Sequence, residues 1–135
     1  MVIDLDCHGD LPDEWRHVPG IRDGRDVFAQ LCEWASQPRP ATYWTATPSG
    51  GWHLYFAASM DSEIRNSAGL IGPQIDVRAS GGYVIGAGMV GGKPYQLVDD
   101  KPPAPLPGLA RPDAQPHVRC PASDPPASAA TCLPG

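Results

Sequence analysis

Strict alternation of apolar and polar residues in three short segments is the feature that most constrains the fold of this chain. Successive side chains of a β-strand point to opposite faces, so the alternation predicts strands with one apolar and one polar face. The apolar members are Ile3, Leu5, Leu54, Phe56, Ile75 and Val77, and the polar members are Asp4, Asp6, His53, Tyr55, Asp76 and Arg78. If the three strands join one sheet, its polar face gathers three carboxylates, an imidazole and a guanidinium.

The segments around these strands predict one helix and further short strands. Apolar residues repeat at helical spacing between 28 and 35, which predicts a helix capped by Asp23 or Asp26. Segments 43–47 and 52–57 flank a Pro-Ser-Gly-Gly turn, which is typical of a hairpin.

A second hairpin is predicted around Gly81 and Gly82, with 74–78 and 83–85 as its strands, and 95–98 is predicted as one more short strand. Residues 66–69 and the polar stretch after Asp6 are predicted to be loops. The fold class expected from this order is α+β, with a mostly antiparallel or mixed sheet and one or two helices.

Proline divides the chain into two unequal parts. Ten of its 17 prolines lie between Pro102 and Pro134, where alanine is also frequent and large apolar residues are scarce. Such a segment cannot bury enough apolar surface to offset the entropy lost on ordering. The sequence therefore predicts a folded domain over residues 1–109 and a disordered Pro/Ala-rich tail over 110–135.

Charge and targeting signals exclude several classes of protein. The net charge of −5 argues against a chain that coats DNA or an anionic membrane through bulk charge, although a local basic groove or a metal site stays open. No segment approaches a membrane span, and no signal peptide is visible. The four cysteines lack paired spacing and are interpreted as reduced thiols, so a cytoplasmic location without membrane contact is expected.

The polar face suggests metal-dependent chemistry. Asp4 and Asp6, two residues apart, form a natural clamp for Mg²⁺ or Mn²⁺, and Asp76 can complete a site for two ions about 3.5–4 Å apart. His53 and Arg78 suit the phosphates of a nucleotide. Each of these features is individually common on a solvated strand, and only their coincidence on alternating positions favours the functional interpretation.

The phosphate-binding set extends into the hairpin turn before His53. Ser49, Gly50 and Gly51 form a turn whose backbone N–H groups can approach phosphate closely. The turn and the histidine belong to one ten-residue block, Thr-Pro-Ser-Gly-Gly-Trp-His-Leu-Tyr-Phe, which ends at Phe56.

These motifs occur in an order that resembles a known family. Val-Ile-Asp-Leu-Asp, the ten-residue block, Ile-Asp-Val-Arg and Gly-Gly-Tyr-Val follow one another in residues 2–84. The arrangement resembles the bifunctional DNA primase/polymerase domain of phages and plasmids, a branch of the archaeo-eukaryotic primase superfamily. The ten-residue block is the most specific part of the resemblance, which covers residues 1–109.

The resemblance implies a primase-polymerase catalytic core of the RRM-like type and a nucleotidyltransferase of DNA replication. Its expected substrates are an NTP or dNTP and a single-stranded DNA template with a primer, and its expected cofactor is Mg²⁺ or Mn²⁺. By resemblance the catalytic metal ligands are Asp4, Asp6 and Asp76, and the nucleotide-binding residues are Ser49, Gly50, Gly51, His53 and Arg78.

The chain departs from the family pattern in two places. The family has a further α/β segment before the Asp-x-Asp strand, and its Pro-Pro-Ser is replaced here by Ala87-Gly88-Met89. Activity of this chain alone is therefore expected to be weak, with a helicase or the missing N-terminal segment as possible partners. The alternatives are an inactive or partner-dependent replication fragment and a metal-dependent phosphodiesterase or nuclease.

Overall fold

A computed structural model describes residues 1–58 and 63–110 of the chain. The strands are β1 (Val2–Leu5), β2 (Trp44–Ala46), β3 (Trp52–Ala57), β4 (Ser67–Ala68), β5 (Ile75–Arg78), β6 (Gly88–Val90), β7 (Lys93–Asp99) and β8 (Ala104–Pro105). The helices are α1 (Asp13–Arg16) and α2 (Gly24–Trp34), and a 3₁₀ turn covers Gly108–Ala110. The predicted disordered tail lies almost wholly outside the described residues.

One sheet organises the domain. Its strand order is β4-β5-β1-β3-β2-β7-β6, with β8 attached to β3. The neighbours along this path pair antiparallel, and β3 with β8 pairs parallel. The predicted α+β class, with a mostly antiparallel sheet and two helices among the described residues, is confirmed.

Helix α2 covers the apolar face of this sheet. Asp23 is its N-cap, because the Asp23 side chain accepts hydrogen bonds from the backbone N–H groups of Arg25 and Asp26. The core that the helix and the central strands share contains Ile3, Leu5, Leu54, Phe56 and Ile75 from the strands and Val27, Phe28, Leu31 and Cys32 from the helix. The predicted helix is confirmed, with Asp23 rather than Asp26 as its cap.

The predicted second hairpin is wrong. Residues 83–85 form no strand, and the free edge of β5 is instead paired with β4, in a segment that was predicted to be a loop. The side chain of Asn66 accepts from Ala79 N at 2.7 Å and donates to Ser80 O, so it turns the chain away from β5. The chain therefore leaves the plane of the sheet after Gly82.

Several other short elements were also missed from the sequence. Helix α1 and strands β4, β6 and β8 have two to four residues each, too few for a hydrophobic period to be visible. Trp15 of α1 is nevertheless part of the core and packs on Trp34, with ring centroids 5.3 Å apart. Beyond β8, Leu106 and Leu109 pack against the core, and Ala110 is fully buried. No helix in 1–58 or 63–110 is long and apolar enough to span a membrane.

Candidate active site

The strand register places four polar side chains in one row across the sheet. Asp4 of β1 lies opposite both Asp76 of β5 and His53 of β3, and His53 lies opposite Thr45 of β2. Directly opposed residues in a sheet share a face. The expectation was that Asp4, Asp6, His53 and Asp76 lie on one face, with the apolar partners buried on the other. It is confirmed for Asp4, His53 and Asp76, whereas Asp6 follows the end of β1 and has no partner in the strand register, so its placement stays a prediction.

His53 is buried between two oxygen atoms. Its Nε2 lies 3.4 Å from Asp4 Oδ1, and its Nδ1 lies 3.2 Å from the backbone oxygen of Ile85. A neutral imidazole donates from one nitrogen only, whereas the cationic form donates from both. Both neighbours are acceptors, so a neutral His53 ring can donate to only one of them. The residue is only 6% exposed, because the segment after Gly82 crosses over the polar face at Ile85.

Arg78 holds the second carboxylate of the row. Its Nη2 donates to Asp76 Oδ2 at 2.9 Å, and its side chain is 40% exposed. Arg78 and Asp76 are two residues apart on β5, so their side chains share the polar face. The predicted roles of Asp76 as a metal ligand and of Arg78 as a nucleotide-binding residue stay predictions.

Asp6 lies just past β1 and interacts electrostatically with the other two acids. Its backbone N–H donates to Gln74 O at 3.0 Å, and its backbone oxygen accepts from Gly24 N at 2.9 Å. Burial raises the pKa of the Asp6 carboxyl, and the negative charges of Asp4 and Asp76 raise it further. The three predicted metal ligands therefore repel one another in this structure.

The Pro-Ser-Gly-Gly turn is fastened to the end of β1. Thr47 N donates to Gly51 O at 2.8 Å, and Gly50 N donates to Thr47 O at 3.0 Å. The Cys7 thiol donates to Ser49 O, and Arg25 Nη1 donates to Gly50 O. Because the Gly50 N–H is used inside the turn, the predicted approach of phosphate to this turn has to rely on other donors, such as the Ser49 hydroxyl, which now shares a hydrogen bond of 3.0 Å with the Thr47 hydroxyl.

A cavity of about 550 Å³ separates this turn from the start of β7. Thr47, Ser49, Lys93 and Tyr95 are among the residues that line it. The Tyr95 ring also lies near the His53 ring, with centroids 6.1 Å apart. The sequence-based prediction missed both Lys93 and Tyr95. Their spacing of two residues, which continues to Leu97 opposite Thr45, places them on the face of His53 once the strand register is known.

Two buried hydroxyl groups on the same face have no hydrogen-bond partner among the described residues. They are Thr45 Oγ1, directly opposite His53, and Tyr55 OH. Burial raises the pKa of the Tyr55 hydroxyl, and the nearby Thr45 hydroxyl opposes that rise. The two hydroxyls are close enough to influence each other, so their hydrogen-bonding capacity can be met within this part of the polar face.

The donor types fit a hard divalent cation, but the side chains do not converge on one. Carboxylate oxygens are the ligands that Mg²⁺ and Mn²⁺ prefer. Within residues 1–58 and 63–110, no group of three or more His, Cys, Asp or Glu side chains is arranged to hold a metal ion. Asp4 faces His53 and Asp76 faces Arg78 instead, so a metal site here requires these carboxylates to exchange partners.

Comparison with known families gives one finding. Residues 1–109 match the family described as bifunctional DNA primase/polymerase, N-terminal. No match is found among curated proteins or among solved structures. The matched range includes every residue of the polar face described above.

Proposed function

Since the chain belongs to the bifunctional DNA primase/polymerase N-terminal family, we propose that it transfers a nucleotide from an NTP or dNTP to the 3′-hydroxyl of a primer. Nucleotides and DNA are the substrates that membership of this family implies in general. The observation that supports the specific reaction best is the row of Asp76, Asp4 and His53 across three adjacent strands. This row combines carboxylates for cation binding with an imidazole that can donate a hydrogen bond to phosphate.

Asp4, Asp6 and Asp76 would hold the divalent cations. When bound, two Mg²⁺ or Mn²⁺ ions would activate the primer hydroxyl and neutralise charge on the departing pyrophosphate. The electrostatic argument for this ligand set is the raised pKa of Asp6, because a site whose carboxylates repel one another is stabilised by any cation that enters it. Arg78, which now pairs with Asp76, would release that carboxylate when a cation binds.

His53 would bind the triphosphate by exchanging one partner. Its Nδ1 now faces Ile85 O, an uncharged acceptor, and a negatively charged phosphate oxygen is a stronger acceptor for a ring N–H. Lys93 and Ser49 line the neighbouring cavity and would add a cation and a hydroxyl donor for the same phosphates. Nucleotide binding is therefore expected to move the segment around Ile85 off the polar face.

Primer extension with Mn²⁺ tests the reaction. Asp76→Asn keeps the size of the side chain and removes its charge, so extension should fall by at least about a hundredfold. Asp99→Asn is the matched control, since Asp99 lies at the end of β7 and pairs only with Lys101 in the contacts observed. Extension by Asp76→Asn at the rate of the control would contradict the proposal, and shortening of the primer by the wild type would indicate a nuclease.

Calorimetry tests the metal ligands without requiring activity. The Asp4→Asn/Asp6→Asn double variant should bind Mn²⁺ much more weakly than the wild type or the Asp99→Asn control, because two of three carboxylates lose their charge. Equal Mn²⁺ affinity in all three proteins would exclude the site.

The role of His53 predicts a distinct kinetic signature. His53→Ala should mainly raise the KM for the nucleotide, because a binding contact is lost, whereas Asp76→Asn should lower kcat at every nucleotide concentration. Steady-state kinetics on both variants, with correct folding checked by circular dichroism, distinguishes a nucleotide ligand from a metal ligand. An unchanged KM in His53→Ala would remove His53 from the nucleotide site.

A further inference from the structure

The polar face has a second cavity on the opposite side of the carboxylates. It has a volume of about 300 Å³, and the lining residues that matter here are Val2, Ile64, Arg78, Tyr83 and Val84. Val2 lies opposite Arg78 across β1 and β5, one row from the Asp4–Asp76 pair. Because β1 and β3 lie between β5 and β2, Asp4 and His53 separate this cavity from the one beside Ser49 and Lys93.

Tyr83 presents its ring to solvent beside this second cavity. The residue is 89% exposed, although it follows directly on a turn that is firmly held. Gly82 N donates to Ala79 O at 2.9 Å, and the Asn66 side chain accepts from Ala79 N and donates to Ser80 O. A Cβ at Gly82 would lie 2.2 Å from Asn66 Oδ1, so the turn and this asparagine are packed in contact. The aromatic ring is thus exposed directly after a turn that is held by hydrogen bonds.

An exposed aromatic ring beside a guanidinium and an apolar hollow matches the chemistry of an unpaired nucleotide. Bases of single strands stack on aromatic side chains, and Arg binds backbone phosphate. We propose that this cavity binds the 3′-terminal nucleotide of a single DNA strand, with its base on Tyr83 and its phosphate on Arg78. This inference rests on the proposed function, because it assigns the second substrate of the same carboxylates.

The position of Arg78 supports this assignment over direct nucleotide triphosphate binding. Arg78 lines the cavity with Tyr83 and does not line the cavity with Ser49 and Lys93. Arg78 Nη2 also donates to Asp76 Oδ2 at 2.9 Å, so the cavity beside Tyr83 adjoins the carboxylates. A strand end held there would have its terminal hydroxyl beside Asp76 and Asp4, while the nucleotide would lie on the other side of them.

Photocrosslinking tests the position of the strand. An oligothymidylate with 5-iodouracil at its 3′ end should crosslink to Tyr83 of the full chain at low ionic strength, because stacking brings the two rings together. The same strand with 5-iodouracil at its 5′ end serves as the control and should crosslink to Tyr83 weakly. Absence of a crosslink at Tyr83, or equal crosslinking from both ends, would overturn the proposal.

Affinity measurements on variants test the energetic role of the ring. Tyr83→Ala should weaken binding of the oligothymidylate between about fivefold and a hundredfold, and Tyr83→Phe should keep wild-type affinity because it retains the stacking surface. Met89→Ala is the matched control, since Met89 is also exposed and lies away from this cavity on β6. Equal affinities of Tyr83→Ala and the wild type, or no measurable binding by the wild type, would overturn the proposal.

Nucleotide binding measured on the same variants separates this inference from the proposed function. Tyr83→Ala should bind NTP or dNTP as the wild type does, because Tyr83 lies outside the cavity beside His53. A wild-type chain that binds the strand through Tyr83 but transfers no nucleotide would refute the proposed function and support the strand site. Loss of nucleotide binding in Tyr83→Ala would refute the separation of the two cavities.

Discussion

The central strands and the region of residues 83–99, which contains β6 and β7, differ in what covers them. In β1, β3 and β5 the apolar members are buried under α2, and Ile3, Leu5 and Ile75 have no exposed surface. In residues 83–99 no residue is buried, and Met89, Val90, Leu97 and Val98 are between 47% and 67% exposed. The first region is a packed core, and the second is a ribbon stabilised mainly by its backbone hydrogen bonds.

This difference shows how the polar face is built. In the central strands the apolar neighbours of Asp4, His53 and Asp76 are buried on one face of the sheet. The three polar side chains are therefore held on the opposite face. Residues 83–99 supply Ile85, Lys93 and Tyr95 to the same face, but no side chain of this region is buried in the core. We therefore expect the carboxylates to be rigidly placed and the groups over His53 to move more easily.

The largest effect in this comparison is expected from matched leucine substitutions. Leu5→Ala removes a fully buried side chain and should lower the free energy of unfolding by about 2–5 kcal/mol. Leu97→Ala removes a side chain that is half exposed and should cost less than about 1 kcal/mol. Urea unfolding followed by circular dichroism measures both, and equal losses would show that residues 83–99 are part of the packed core.

Matched glycine substitutions should give the next effect. A Cβ at Gly24 would lie 2.2 Å from Gln74 O and 2.8 Å from Asp6 O, so Gly24→Ala forces backbone atoms apart and should cost about 1–3 kcal/mol or more. A Cβ at Gly86 meets no heavy atom within 4 Å, and Gly86→Ala should leave stability almost unchanged. Thermal unfolding of both variants checks the pair, and a stable Gly24→Ala protein would contradict the tight junction between α2 and β1.

A smaller effect is expected from removal of the helix cap. Asp23→Ala loses two backbone hydrogen bonds and the ion pair with Arg25, and should cost about 0.5–2 kcal/mol. Asp99→Ala, at the end of the exposed ribbon, should produce no measurable change. Urea unfolding at neutral pH gives both values.

The cap should also give stability a defined pH dependence. The Arg25 guanidinium is the main cause that holds the pKa of Asp23 below its ordinary value of 3.8. The cap therefore stabilises the fold above that value, and its contribution disappears as pH falls through the folded-state pKa. The difference in the free energy of unfolding between the wild type and Asp23→Ala should vanish in strong acid. A difference that grows as the pH falls would contradict the lowered pKa of Asp23.

The smallest effect concerns the carboxylate cluster. The pKa of Asp6 is raised, so its ionised form is disfavoured in the folded state and the fold is weakened when pH rises above that pKa. Asp6→Asn should therefore raise the midpoint of unfolding slightly at neutral pH and lose this advantage below pH 3.8. Added Mn²⁺ should stabilise the wild type more than the variant, and the reverse order would argue against a metal role for Asp6.

Prediction from the sequence succeeded where the local spacing of apolar residues matches the side chains that are buried in the core. The alternation around Asp4, His53 and Asp76 was sufficient to place them on one face, and helical spacing after Asp23 was sufficient to place α2. The prediction failed at residues 83–85, because a Gly-Gly turn is compatible with a hairpin unless another segment occupies the strand edge. Pairing of β4 with β5 is a long-range event that no local pattern shows.

The sequence by itself determined which residues face the core and which face the candidate site, because side-chain direction in a strand follows from position alone. It also determined the family, through a ten-residue block of specific residues. Only the tertiary structure decided that Ile85 O contacts His53, that Lys93 and Tyr95 lie beside Ser49, and that Arg78 and Tyr83 border a second cavity. These contacts join segments far apart in the chain, and their geometry depends on packing rather than on local order.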